Sequence, residues 1–179
     1  MTTPLDLRPV ADHLDLVAPP VAAALAAWPP ELVAEVLVAP IDPDLADTAA
    51  FCAEYGIGLD RSANCVVVAG RRGGEERYAA CMVLATQRAD VNGVVRRSLD
   101  VRKISFARQD DAVARSGMEY GGMTPLGLPA DWPVLVDPAV AAAGRVVVGS
   151  GVRGSKLELP GTLLSRLPTA SVLPGTALV

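Results

Sequence analysis

The feature that most constrains this chain is a pair of apolar runs set around two adjacent glycines. Cys65 to Ala69 (CVVVA) and Arg77 to Thr86 (RYAACMVLAT) flank the segment Gly70 to Glu76, with Gly73-Gly74 inside it. Glycines that reach positive φ without strain close a tight turn, so two antiparallel core strands joined as a hairpin are expected. Aromatic residues make up only 4% of a chain that is 51% hydrophobic, so the core must be built from Ala, Val and Leu.

Short strands and helices alternate around that hairpin. Val21, Leu25 and Trp28 at helical spacing predict a helix over 17–28, closed by Pro29-Pro30. EVLVA reads as a strand over 35–39. Asp42 as N-cap, Pro43 at the first helical position and Gly56 just past the end predict the next helix, with Leu45, Ala49 and Cys52 on one face. Helices over 90–99, 110–116, 138–142 and 161–167 and strands over 103–107, 134–136, 145–148, 156–159 and 170–173 complete the pattern. The expected fold is mixed α/β (α+β): a curled, barrel-like mixed β-sheet surrounded by helices, in one domain over 1–179. The first ~12 and last ~5 residues read as frayed termini.

Histidine occurs once, at His13 in a polar N-terminal stretch. That excludes a His-rich metal site, a Ser-His-Asp triad and a Cys-His pair, and leaves carboxylates, lysine, hydroxyls, backbone amides or the substrate itself to carry any chemistry. No residue pattern points to a metal or an organic cofactor. Cys52, Cys65 and Cys81 are odd in number and widely spaced, and read as small core hydrophobes in a reducing compartment. No apolar run approaches the roughly 18 to 20 residues that span a bilayer, and no signal-peptide layout is present, so a cytoplasmic protein without membrane contact is expected.

Two glycine-rich stretches are candidates for chemistry. GMEYGGMTPLGLP, residues 117–129, contains Gly121-Gly122 followed by Thr124 and Pro125. Such a loop can aim successive N–H groups at one spot, although residue types alone favour a plain surface turn between a helix and a strand. GSGVRGSK, residues 149–156, brings Ser150, Gly151, Arg153 and Lys156 together in a form that resembles a phosphate cradle but is not a P-loop, because Ser155 separates the last glycine from the lysine. Arg88, Arg96, Arg97, Arg102, Lys103 and Arg108 face only Asp90 and Asp100 in sequence, a local excess of positive charge in a chain of net charge -4. That face suits a nucleic-acid backbone, with solvated helix charge as the alternative reading. No aromatic ladder for stacking successive bases accompanies it.

The apolar strand near residue 65, the GGMTPLG loop, the VLVDP strand with Asp137 and the GSGVRG turn together resemble the YbaK/EbsC family, also called the prolyl-tRNA-synthetase-associated domain. The similarity runs over about 30–173, with a helical extension at about 14–28 in front of it. It implies a free-standing editing hydrolase that deacylates mischarged aminoacyl-tRNA in trans, with tRNA as partner and a tRNA synthetase as a further one. It also implies that Gly121 and Gly122 hold the aminoacyl end, that Thr124, Pro125, Asp137, Ser150, Gly151 and Arg153 surround the substrate, and that Arg88, Arg96, Arg97, Arg102 and Lys103 meet the tRNA. The attacking water is then activated by the substrate, which agrees with the scarcity of histidine.

Two positions depart from the family pattern. Members commonly carry lysine at the start of the first core strand, where this chain has Asn64, and an acidic residue after the glycine turn, where it has Lys156. The expectation is that Lys156 supplies the cation Asn64 cannot, while Asn64 donates a neutral hydrogen bond. Two other functions fit these departures: a non-catalytic module that grips an aminoacyl or nucleotide end, and an esterase or amidase acting on a small aminoacyl-like metabolite.

Overall fold

The computed structural model describes residues 2–178. Its centre is the glycine-turned hairpin: β3 (Ala63–Arg72) and β4 (Glu75–Leu84) pair antiparallel from Ala63↔Leu84 to Arg72↔Glu75. Gly73 and Gly74 form the two-residue turn with φ of 59° and 86°, the positive values that match the twist of the flanking strands.

Three further strands extend this hairpin into a five-stranded sheet of order β10-β7-β4-β3-β6. β6 (Lys103–Phe106) runs antiparallel to the outer edge of β3, β7 (Val134–Val136) runs parallel to β4, and β10 (Ala170–Val172) runs parallel to β7. A second sheet joins β1 (Arg8–Pro9), β2 (Leu37–Pro40), β9 (Ser155–Pro160) and β8 (Arg145–Gly149), all antiparallel and in that order. β5 (Arg88–Ala89) and β11 (Ala177–Leu178) form a small ribbon.

The expected barrel is not formed. The two larger sheets meet at one isolated bridge, Ser62 to Val147, and remain separate. Between them lies a shared core in which Val38, Val146 and Leu157 of one sheet pack with Ala80, Met82 and Val134 of the other. Closure would need continuous pairing along β8 and β3, and their register supplies a single pair.

Helical segments also differ in detail from the sequence reading. α1 (Pro19–Ala26) is shorter than expected and is followed by α2 (Pro30–Val33). The helix expected from Asp42 is split. Asp42 caps a single 3-10 turn, Pro43–Leu45, and Asp47 caps α3 (Thr48–Tyr55) by accepting from the N–H groups of Ala49 and Ala50. Gly56 ends α3 in the left-handed region, as expected. The 90–99 helix breaks at Gly93 into a wide turn, Val91–Val95, and α4 (Arg96–Ser98). α5 (Gln109–Ser116), α6 (Pro138–Ala142) and α7 (Gly161–Leu164) follow.

The termini are paired rather than frayed, because each finds a distant strand edge. Arg8 and Pro9 pair with Val38 and Leu37, Val10 is fully buried, and Ala177 and Leu178 pair with Ala89 and Arg88. α1 sits behind the glycine-rich loops: the Ala18 N–H donates to the Ser150 carbonyl, and Val21 and Leu25 are buried in the shared core.

Candidate functional site

The pairing pattern of β3 leaves a gap. β6 covers only Val68–Arg71 of its outer edge, the Ala107 N–H that follows it takes the Val67 carbonyl, and Val147 of β8 meets only Ser62, so the edge from Ala63 to Val66 has no neighbouring strand. Unpaired edge amides and carbonyls are strong hydrogen-bonding groups. A cavity of about 410 Å³ occupies this gap, and its walls include Asn64 of β3, Lys156 of β9, Gly121 of the glycine loop, and Asp47 and Thr48 at the start of α3.

Asn64 thus shares a cavity with Lys156 and Gly121, although 92 residues of sequence separate it from Lys156. The Asn64 Oδ1 accepts from the Thr48 hydroxyl at 2.7 Å. That bond orients the amide so that its NH2 group, which has no partner among the described residues, remains available as a donor.

Lys156 is 8% exposed, and its Nζ donates to the Ala46 carbonyl at 3.0 Å while standing 5.2 Å from the centroid of the Phe51 ring. Burial pushes its pKa below the ordinary lysine value; Cys52 and Asp47 oppose that shift and Arg153 adds to it. The ammonium keeps two donors beyond the bond to Ala46. Burial pushes the thiols of Cys52, Cys65 and Cys81 upward, so they remain neutral small hydrophobes.

The two glycine-rich stretches form one unit. The Glu119 N–H donates to the Gly151 carbonyl at 2.8 Å, the Gly151 N–H donates to the Gly122 carbonyl at 2.7 Å, and the Arg153 N–H donates to the Glu119 carboxylate at 2.6 Å. Within that unit the glycine pair divides its roles. Gly121 holds φ of 82° in the turn closed by the Gly122 N–H and the Glu119 carbonyl, lines the cavity, and leaves its own N–H outside any hydrogen bond among the described residues. Gly122 is buried, its N–H is consumed by the turn, and a Cβ there would lie 2.6 Å from the Val152 backbone.

The other expected substrate contacts lie off the cavity wall. Arg153 latches the loop from outside, donating to the Pro43 carbonyl at 2.8 Å and the Tyr120 carbonyl at 3.4 Å. Asp137 caps α6 through the Ala139 N–H and accepts from the Ala177 N–H, so both carboxylate oxygens hold backbone. The Ser150 hydroxyl sits among the carbonyls of Val152 and Ser155, Gly151 is buried against Ala18, and Thr124 and Pro125 are buried. The Thr124 hydroxyl has no hydrogen-bond partner among the described residues.

Of the basic residues, Arg88, Arg97, Arg102 and Lys103 are exposed and Arg96 is half-buried, its Nε donating to the Asn92 carbonyl. Asp47, Thr48, Phe106 and Tyr120 also line the cavity and were not singled out in the sequence. Asp47-Thr48 carried a usable signal, since an Asp before an Ala-rich helical run is a good cap; Phe106 and Tyr120 carried none. Among the described residues no cluster of His, Cys, Asp and Glu is placed to hold a metal ion, and no helix is long and apolar enough to cross a membrane.

A family model described as aminoacyl-tRNA editing domain matches residues 42–167. Among solved structures, the chain is similar to a candidate trans-editing enzyme for prolyl-tRNA synthetase, at 16% identity and a TM-score of 0.71, over 88% of this chain and 97% of that one. It is also similar to a scaffold protein used for computational epitope grafting, at 18% identity and a TM-score of 0.72, over 88% of this chain and 95% of that one. A hypothetical protein matches at 19% identity and a TM-score of 0.66, over 80% of this chain and 90% of that one. At these identities the structural likenesses concern the fold, and all three share it.

Proposed function

The chain belongs to the aminoacyl-tRNA editing domain family, and we propose that it works in trans, as one domain in the cytoplasm, hydrolysing the ester that joins a wrong amino acid to tRNA. The observation that carries this reading is the shared cavity of Asn64, Gly121 and Lys156 in the open edge of β3.

The ester carbonyl lies within reach of the Gly121 N–H and the Asn64 NH2, which stabilise the oxyanion as it forms. Lys156 contributes positive charge at the same place, where a buried cation is worth more than one in water. Water adds to the carbonyl carbon, the C–O bond to the ribose breaks, and the ribose oxygen leaves with a proton. The substrate's own hydroxyl or amino group assists that proton transfer. The cavity wall offers no histidine, and its one thiol, that of Cys65, is held neutral. The protein's contribution is therefore positioning and electrostatics.

Arg88, Arg96, Arg97, Arg102 and Lys103 provide the face for the tRNA backbone, so affinity for tRNA falls steeply with added salt. The size and lining of the cavity choose the amino acid.

Release of free amino acid from a panel of mischarged tRNAs, compared with buffer, tests the reading. Release above buffer that falls at least tenfold in Lys156→Ala supports it. Tight tRNA binding without any release would make the chain a binding module, and release only from small aminoacyl esters would make it an esterase.

A further inference from the structure

The ester cavity does not end at Asn64. Asn64, Val66 and Phe106 line both it and an adjoining groove of about 680 Å³, whose other walls include Val83, Gln87 and Arg88. Phe106 also lines a third groove, together with Arg71 of β3 and Glu76 and Tyr78 of β4. It is 67% exposed, the highest value among the exposed large hydrophobic residues described, and it contributes to the lining of all three depressions.

That exposure has a structural origin. Phe106 is paired with Val68, which is fully buried, and neighbouring residues of this pairing share a face. Ile104, two residues earlier on the same face, packs against the buried cluster that includes Val91, Val95 and Leu99. The cover from that segment stops short of Phe106, and the ring is left as an open platform at the mouth of the ester cavity.

From this juxtaposition we propose that Phe106 is the stacking platform for the terminal nucleoside of the acylated RNA, with Arg88 at the far wall of the adjoining groove meeting that nucleotide's phosphate. The inference rests on the deacylase reading, in which the ester's alcohol is the ribose of that nucleoside, and it names the place where that part of the substrate lies. Three observations favour this groove. It is continuous with the ester cavity through Asn64, as the short link from ester to ribose to base requires. Tyr120, the other exposed aromatic at the ester cavity, lines neither of the two grooves. Among the described residues, two of the three cations in the third groove, Arg71 and Arg108, already face Glu76 and Asp111 at 3.6 and 3.8 Å and only Lys103 is left, whereas in the adjoining groove Asp90, the one carboxylate on the wall, is engaged by the Gly93 and Val94 N–H groups. A single platform beside one cation suits one stacked base rather than a run of them.

Adenosine 5'-monophosphate is the probe, with binding followed by calorimetry on wild type, Phe106→Ala, Phe106→Trp and Arg88→Gln. Phe106 is exposed, so its variants leave the core intact. The proposal expects saturable binding by wild type, a loss of roughly tenfold in Phe106→Ala, retention in Phe106→Trp and a weaker salt dependence in Arg88→Gln. Uncharged tRNA should compete with the probe, and tRNA lacking its terminal nucleotide should not. In deacylation, Phe106→Ala should raise KM by a similar factor and leave kcat in place. Absent binding, equal binding by Phe106→Ala, or equal competition by the shortened tRNA overturns the subsite. Normal deacylation by Phe106→Ala also removes the subsite and leaves the deacylase reading standing. Phe106-dependent nucleotide binding without any deacylation does the reverse.

Discussion

Lys156 holds its ammonium 5.2 Å from the centroid of the Phe51 ring, in the wall of a cavity that Asn64 also lines. A buried lysine is costly to keep charged, and the ring face and the Ala46 carbonyl offset part of that cost. Retaining such a residue in a core of Ala, Val and Leu makes sense if the charge is used.

Replacing Lys156 with Met keeps the volume and removes the charge, so stability and activity should separate. Folding stability is expected to hold or to rise by roughly 1 kcal/mol. The pH dependence gives the sign. Burial lowers the folded-state pKa below the ordinary 10.5, so the unfolded chain binds the proton more tightly, and stability gained from this group rises with pH from the depressed pKa up to 10.5. Denaturation midpoints across that window should climb in wild type and lose this component in Lys156→Met.

The glycine pair should respond asymmetrically. Gly121→Ala puts a side chain at φ of 82° with its Cβ 2.6 Å from the Arg153 Nη1, a flexible neighbour, and is expected to cost about 1 kcal/mol of stability while lowering deacylation more than tenfold. Gly122→Ala drives a Cβ into the Val152 backbone and should cost roughly 1–3 kcal/mol. Thermal melts alongside single-turnover rates separate the two.

Much of this site was legible in the sequence, for reasons that can be located. The hairpin announced itself through Gly73-Gly74 between apolar runs, and both glycine-rich loops were visible as stretches that regular structure could not use. What local pattern could not show was pairing at a distance. The hydrogen bond between Gly122 and Gly151, the strand added by Arg8-Pro9, and the single Ser62–Val147 bridge at which the two sheets meet all join remote segments. Asp42-Pro43 mimicked a helix start because it does cap a turn, five residues before the true cap at Asp47. Asp137, which the family resemblance sets beside the substrate, spends both carboxylate oxygens on backbone N–H groups, and a helix cap of that kind leaves no distinctive mark in sequence.

Thr124 offers a control within the loop. Its hydroxyl is fully buried without a partner among the described residues, and Thr124→Val removes that group at nearly constant shape. The expected outcome is unchanged stability or a gain of up to about 1 kcal/mol, with unchanged deacylation. Chemical denaturation and the deacylation rate measure both halves.

If the positive charge has crossed the cavity, it can be sent back. Asn64→Lys combined with Lys156→Met restores lysine to the position family members commonly use, and it is expected to recover at least part of the rate lost in Lys156→Met alone. Rates of the single and double variants on one mischarged tRNA give the answer as a coupling energy.

The most direct measurement is single-turnover deacylation of a mischarged tRNA by wild type and by folded Lys156→Met, with the melt of each recorded on the same sample. A cavity that works through Gly121, Asn64 and Lys156 predicts amino-acid release by wild type and at least a tenfold slower rate in the variant, at equal or higher stability. Equal rates from the two proteins would contradict it.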